Sequence, residues 1–113
     1  MTAVIDDDPA VLDSLCFLLE IAGHRTRGYA SAAAFLADGD ARPACIILDQ
    51  HMPHMTGLEL LARLRAAGVA TRVMLVTGSS TPAIRARAAA LGVVKVLEKP
   101  PDEAELLAFA AGT

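Results

Sequence analysis

The sequence predicts an α/β fold in which five parallel strands, in the order 2-1-3-4-5, form a doubly wound sheet flanked by five helices. Three observations predict it. Short apolar runs alternate along the chain with longer stretches whose apolar residues recur every three or four positions, so strand and helix follow one another repeatedly. Several of the runs show no polar alternation, as strands buried on both faces of a sheet require. The joining segments are short, and strand-helix-strand units with right-handed crossovers then give a parallel sheet with helices on both sides. For five such units 2-1-3-4-5 is the common order, and its ligands bind beyond the carboxyl ends of the strands where the strand order reverses.

Ala3-Val4-Ile5 reads as the first buried strand. Asp8-Pro9 then starts a helix, an N-cap followed by Pro at the first helical position, and Val11, Leu12, Leu15, Leu18, Leu19 and Ala22 recur at helical spacing until Gly23 closes it. His24 to Tyr29 is polar with Thr and Tyr and reads as an edge strand. Ser31 caps a short Ala-rich helix through Phe35 and Leu36 that ends near Asp38-Gly39-Asp40. Cys45 to Leu48 is a continuous apolar run, the central strand, and Asp49 ends it. After the Met52-Pro53 turn, Thr56 and Glu59 have capping-box spacing and open a helix carrying Leu58, Leu61, Ala62 and Leu64 before Gly68. Arg72 to Val76 is a fourth strand, ending in Thr77-Gly78. Thr81-Pro82 begins an Ala-rich helix that stops at Gly92, and Val93 to Leu97 forms the fifth strand. Pro100-Pro101-Asp102 leads into a short last helix through Leu106, Leu107 and Phe109, ending at Ala111-Gly112-Thr113.

With 113 residues, 54% of them hydrophobic, the chain suits one packed core, so residues 1–113 are expected to form a single domain with no output domain beside it. The net charge of −3 and the lack of a Lys/Arg block argue against direct contact with nucleic acid, whose affinity comes from clustered cations. No stretch approaches the roughly 18 apolar residues of a membrane span, so no membrane contact and a cytoplasmic setting are expected. Cys16 and Cys45 each lie in an apolar run and are expected to be free, buried thiols.

The residues at the carboxyl ends of the predicted strands carry the functional signal: Asp6 and Asp7 after the first, Asp49 after the third, Thr77 after the fourth and Lys99 after the fifth. Singly, Asp6 to Asp8 make a helix cap, Thr77-Gly78 a turn and Lys99 a surface cation. Asp49, directly after four apolar residues of a central strand, needs a further reason. The predicted topology brings all of these to one edge of the sheet. Carboxylates so close repel and desolvate one another, and a divalent cation is the usual resolution. Oxygen ligands select a hard ion, and Mg²⁺ suits better than Ca²⁺ because it keeps waters and completes its octahedron with phosphate oxygens. A Lys and a hydroxyl beside such a cation make a phosphoryl-binding site in which an Asp can be the attacking oxygen.

These segments resemble a known family. Val4-Ile5-Asp6-Asp7-Asp8-Pro9, Asp49-Gln50-His51-Met52-Pro53-His54-Met55-Thr56-Gly57, Val76-Thr77-Gly78 and Glu98-Lys99-Pro100 are similar to the motifs of phosphoacceptor receiver domains of two-component response regulators, in particular the FixJ-like group. The likeness spans nearly the whole chain. It implies that Asp49 is the phosphoacceptor of a phosphorelay, taking its phosphoryl group from a sensor histidine kinase or a histidine phosphotransfer protein. It also implies Mg²⁺ held by the Asp7 and Asp49 carboxylates and the backbone carbonyl of His51, with Asp6 acting through a water. Thr77 and Lys99 would bind the phosphoryl oxygens and so bias a two-state surface of the fourth helix, fifth strand and fifth helix, where a downstream protein or a second copy docks. His51 and Ser79, each two positions past a site residue, occupy places that tune hydrolysis of the aspartyl phosphate in this family. The resemblance thus implies a signalling domain that assists its own phosphorylation and dephosphorylation rather than an enzyme. Val96 departs from the family pattern, which has an aromatic residue three positions before the Lys whose inward rotation accompanies the Thr movement. Two other readings compete: a phosphorylation-independent binding module of the same fold, and an Mg²⁺-dependent phosphatase with an Asp nucleophile. Such phosphatases commonly carry a second Asp two residues on as general acid, and here that position is His51.

Overall fold

A computed structural model describes residues 1–112; Thr113, the expected end of the last helix, lies outside the described residues. Strands and helices alternate strictly: β1 (Thr2–Ile5), α1 (Pro9–Ile21), β2 (Thr26–Tyr29), α2 (Ala32–Ala37), β3 (Cys45–Asp49), α3 (Gly57–Ala66), β4 (Arg72–Thr77), α4 (Pro82–Ala90), β5 (Lys95–Glu98) and α5 (Glu103–Ala111). The five strands form one sheet in the order β2-β1-β3-β4-β5, all neighbours parallel. The expected doubly wound fold is therefore the observed one.

The apolar runs divide between the two faces because successive strand side chains point to opposite sides. Ala3, Ile5, Ile46, Leu48, Val73 and Leu75 pack with Phe35, Leu58, Leu61, Leu64 and Ala88, so α2, α3 and α4 cover that face. Val4, Ile47, Met74 and Val76 pack with Leu15, Leu19, Leu106 and Phe109, so α1 and α5 cover the other. Burying one such Leu or Ile contributes roughly 1.5–3 kcal/mol relative to leaving it exposed, so the helices on both faces hold β1, β3 and β4 at the centre of the sheet.

The helix starts follow the expected chemistry. The Asp8 carboxylate accepts from Ala10 N (3.0 Å) and Val11 N (3.4 Å), with Pro9 in the first turn of α1. Ser31 caps α2, Thr81 caps α4 and Asp102 caps α5. At α3 the capping box is complete: Thr56 Oγ1 accepts from Glu59 N (3.2 Å) while Glu59 Oε1 accepts from Thr56 N (3.0 Å).

Three expectations shift. The strand β2 starts at Thr26 rather than His24, because His24 N–H is bonded to Leu19 O in the closure of α1 around Gly23, whose φ is +93°. Likewise β5 starts at Lys95 rather than Val93 and runs on through Glu98, because Val93 N–H closes α4 by bonding Ala88 O. Both thiols are free, and Cys45 is buried as expected, but Cys16 is only half-buried, against the Gly28 backbone of β2. Burial, then the charges of Glu20 and Asp13, push the Cys16 thiol up, away from the reactive thiolate. Among the described residues no helix is long and apolar enough to cross a membrane.

Candidate functional site

The parallel registers bring the ends of β1, β3, β4 and β5 side by side, with Ile5 opposite Leu48, Asp49 opposite Val76 and Thr77 opposite Glu98. Asp6, Asp49, Thr77 and Lys99 end or follow these strands, so residues as far as 93 positions apart meet at one edge. Asp6, Asp7 and Asp49 each place one carboxylate oxygen within 4.8 Å of the others; Asp6 and Asp49 are buried and Asp7 is exposed. Lys99 reaches in from the end of β5 with Nζ 3.1 Å from Asp6 Oδ2 and 3.0 Å from Asp49 Oδ1. The Lys99–Pro100 peptide is cis.

The two buried carboxylates differ in how they are satisfied. Asp6 has both oxygens engaged, Oδ1 accepting from Asp8 N (2.9 Å) and Oδ2 from Lys99. Asp49 Oδ1 is buried and ion-paired with Lys99 at 3.0 Å, with no further hydrogen-bond partner. Burial pushes the Asp49 carboxyl above its ordinary value; Lys99 pulls it back, and the charges of Asp6 and Asp7 push it up again. Lys99 itself is held above its ordinary value: burial works against its charge, but Asp49 and Asp6 outweigh it. Three carboxylates against one ammonium, with Asp49 Oδ1 met by Lys99 alone and Asp7 open to solvent, form an all-oxygen donor set that fits a hard divalent cation.

Thr77, fully buried at the end of β4, turns its hydroxyl toward the loops rather than toward Asp49. Its Oγ1 donates to Ser79 O (3.1 Å), accepts from Ser79 N (3.2 Å) and lies 3.0 Å from His51 Nε2. When the hydroxyl proton goes to Ser79 O, the His51 contact requires the tautomer protonated at Nε2. Ser79, itself exposed, thus touches Thr77 through its backbone, and His51 through its ring. Ser80 Oγ, in the same loop, is buried without a partner. Val96 is half-buried on β5 against the core on the α2, α3 and α4 side.

Two features escaped sequence reasoning. Gln50, directly after Asp49, is a buried polar residue whose Oε1 accepts from Leu58 N at 2.8 Å; the signal is a second polar residue directly after the apolar run of the central strand. His54 adopts φ +68°, the left-handed region that a residue with a Cβ rarely occupies. Gly57 is required where it stands, since a Cβ there would lie 2.4 Å from the Asp49 carbonyl oxygen.

Residues 2–111 match the model of the response regulator receiver domain. The transcriptional regulatory protein FixJ of Azorhizobium caulinodans is 44% identical over 106 residues, which are 93% of this chain and 50% of that protein. The response regulator protein TmoT of Ectopseudomonas mendocina is 34% identical over 105 residues, 92% of this chain and 48% of that protein. The chain thus spans about half the length of the curated relatives it matches. Among solved structures, FixJ-N superposes with a TM-score of 0.85 at 30% identity, covering 98% of this chain and 92% of that one. The chemotaxis protein CheY4 of Vibrio cholerae superposes with a TM-score of 0.89 at 26% identity, covering 98% and 95%. This favours the receiver reading over both a silent binding module and a phosphatase. By its sequence and its fold, this chain belongs to the response regulator receiver domain family, a family of signalling domains.

Proposed function

We propose that this domain accepts a phosphoryl group on Asp49 from a phosphohistidine of a sensor histidine kinase or a histidine phosphotransfer protein, with Mg²⁺ as cofactor, in the cytoplasm. The observation that carries the reading is Asp49 Oδ1, a buried carboxylate oxygen ion-paired with Lys99 Nζ at 3.0 Å, with no further hydrogen-bond partner, beside two further carboxylates. Burial pushes that carboxylate toward its neutral form and Lys99 offsets only part of this, which suits a nucleophile that is completed by a cation and an incoming group.

Asp7 and Asp49 would hold Mg²⁺ through their carboxylates and His51 through its backbone carbonyl. Asp6, whose oxygens are already engaged by Asp8 N and Lys99, would act through a water. Mg²⁺ bound there supplies positive charge against the carboxylate cluster and the phosphoryl oxygens. In the transfer an Asp49 carboxylate oxygen forms the new O–P bond as the N–P bond of the phosphohistidine breaks, and the departing imidazole takes up a proton. Lys99 turns from its ion pairs to a phosphoryl oxygen, and Thr77 exchanges its bonds to His51 and Ser79 for another. His51 and Ser79 flank that hydroxyl and set how fast water removes the group.

The movement of Thr77 displaces the loop before α4 and so biases the surface of α4, β5 and α5. There Val94 is 57% exposed, the α4 face offers Ala83, Ala86 and Ala90, and Lys95 pairs with Glu105 across β5 and α5. A downstream protein or a second copy of the domain would read this surface, with Val96 as the switch position in place of an aromatic ring. Incubation with acetyl phosphate tests the chemistry: a gain of about 80 Da that needs Mg²⁺ and is lost in Asp49→Asn is expected. A gain of the same size in Asp49→Asn would place the acceptor elsewhere.

A further inference from the structure

We propose that Gln50 is a positioning residue: its side chain and backbone together pin the N-terminus of α3 to the end of β3, and so hold the strand end and the loop that carry the Asp49 and His51 ligand groups. The inference rests on the Mg²⁺ reading above.

Three bonds converge on Gln50, which is 7% exposed. Its N–H donates to Val76 O of β4 (3.0 Å), its carbonyl accepts from Gly57 N (3.0 Å), and its Oε1 accepts from Leu58 N (2.8 Å). A backbone N–H only donates, so the amide oxygen must be the atom that faces the helix. The first N–H groups of a helix have no partner within it and need one from outside. In α3 Thr56 Oγ1 serves Glu59 and Gln50 serves both Gly57 and Leu58. One residue, next to the proposed acceptor, thus satisfies two successive donors of the first turn.

The joint is tight as well as bonded. The Gly57 Cα sits so close to the Asp49 carbonyl that no Cβ fits between them. His51 to Thr56 therefore span a loop whose two ends are fixed against each other at Gln50 and Gly57. Take away the Gln50 oxygen, and Leu58 N–H is left buried without an acceptor; the first turn of α3 is then free to shift against Asp49 and the adjoining His51 carbonyl. Partners of ligand groups that act at this remove typically change metal affinity by about tenfold or more.

Two substitutions separate the oxygen from the shape. Gln50→Met keeps length and flexibility without the amide, and Gln50→Glu keeps an acceptor oxygen at a helix N-terminus, where a carboxylate is favoured. Calorimetric Mg²⁺ titration of the unphosphorylated chain and amide hydrogen exchange at Leu58 are measured on both, with the melting temperature as the check on folding. Gln50→Met is expected to melt cooperatively, to exchange Leu58 N–H faster, and to bind Mg²⁺ about tenfold more weakly. Gln50→Glu is expected to restore Leu58 protection and Mg²⁺ binding to at least the wild-type level. Wild-type affinity in Gln50→Met, or equal weakening in both variants, overturns the role. Should Gln50→Met not fold, the wild-type chain decides: linkage requires that saturating Mg²⁺ slow Leu58 exchange, and an unchanged rate refutes the coupling. A wild-type chain that binds no Mg²⁺ at all overturns the Mg²⁺ reading, and the inference with it.

Discussion

Replacing Gly57 by Ala tests how closely the candidate site depends on the packing beneath it. The added Cβ would lie 2.4 Å from Asp49 O and 3.1 Å from both Asp49 C and Gln50 Cα, all backbone atoms, whereas ordinary contact begins at 3.4 Å. The helix and the strand end must therefore separate by about 1 Å, and no side-chain rotation can absorb the clash. Gly57 is not among the glycines with positive φ, so the cost is contact alone and not backbone conformation. Overpacking of this kind costs about 2 kcal/mol. At a urea slope of about 1.5 kcal/mol/M that lowers the midpoint of unfolding by roughly 1.3 M. The same 1 Å displaces the Asp49 peptide relative to Lys99 and Asp7, and misplacement of that size is worth on the order of a hundredfold in rate. Urea unfolding followed by circular dichroism, and acetyl phosphate labelling followed by intact mass, read the two effects separately. A midpoint within about 0.3 M of wild type together with an unchanged labelling rate would show that the α3 and β3 joint does not hold the site.

Other perturbations follow from the same geometry. His51→Ala removes a bond that Thr77, in the proposed role, would have to surrender to reach a phosphoryl oxygen, so beryllofluoride with Mg²⁺ should bind about two- to tenfold more tightly; weaker binding would mean that the ring assists rather than restrains. Lys99→Ala strips the cation from Asp6 and Asp49 and should cost the metal-free chain about 2 kcal/mol, less than a fully buried pair because Lys99 is partly exposed, with Mg²⁺ restoring most of it. That variant should still take up phosphoryl groups from acetyl phosphate while its β5 amide resonances respond weakly, and a full response would remove Lys99 from the switch. The raised Asp49 carboxyl fixes the sign of a pH effect. Its stabilising contribution is complete below the ordinary 3.8 and is lost as pH rises through the raised folded-state value. Without metal, Asp49→Asn should therefore gain melting temperature relative to wild type as pH rises through that range, and Mg²⁺ should shrink the gap; a gap independent of pH would contradict the burial argument.

Much of this was legible because local chemistry and topology agree. Cys45 to Leu48 could only be a central strand, and a carboxylate directly after it had to sit at the sheet edge. Thr56 and Glu59 marked the start of α3 by spacing alone, and the strand order then gathered Asp6, Asp49, Thr77 and Lys99. What stayed hidden depends on hydrogen bonds that periodicity does not encode. Val93 has the residue type of a strand, yet its N–H closes a helix. The contact of His51 with Thr77 joins residues 26 positions apart, and either hydroxyl direction fits the sequence equally well. Gln50 looked like one more position in a motif whose neighbours carry the recognisable chemistry, although its amide completes the first turn of α3.

The central claim is that Asp49 is the nucleophile, and borohydride trapping tests it most directly. Sodium borohydride reduces an acyl phosphate to the alcohol, so a phosphorylated Asp becomes homoserine, about 14 Da lighter, while phosphate esters and unmodified carboxylates do not react. After labelling with acetyl phosphate and Mg²⁺, reduction and proteolysis, the peptide holding Cys45 to Asp49 should carry homoserine at position 49 and nowhere else. Homoserine at Asp6 or Asp7 instead, or its persistence in Asp49→Asn, would contradict the account.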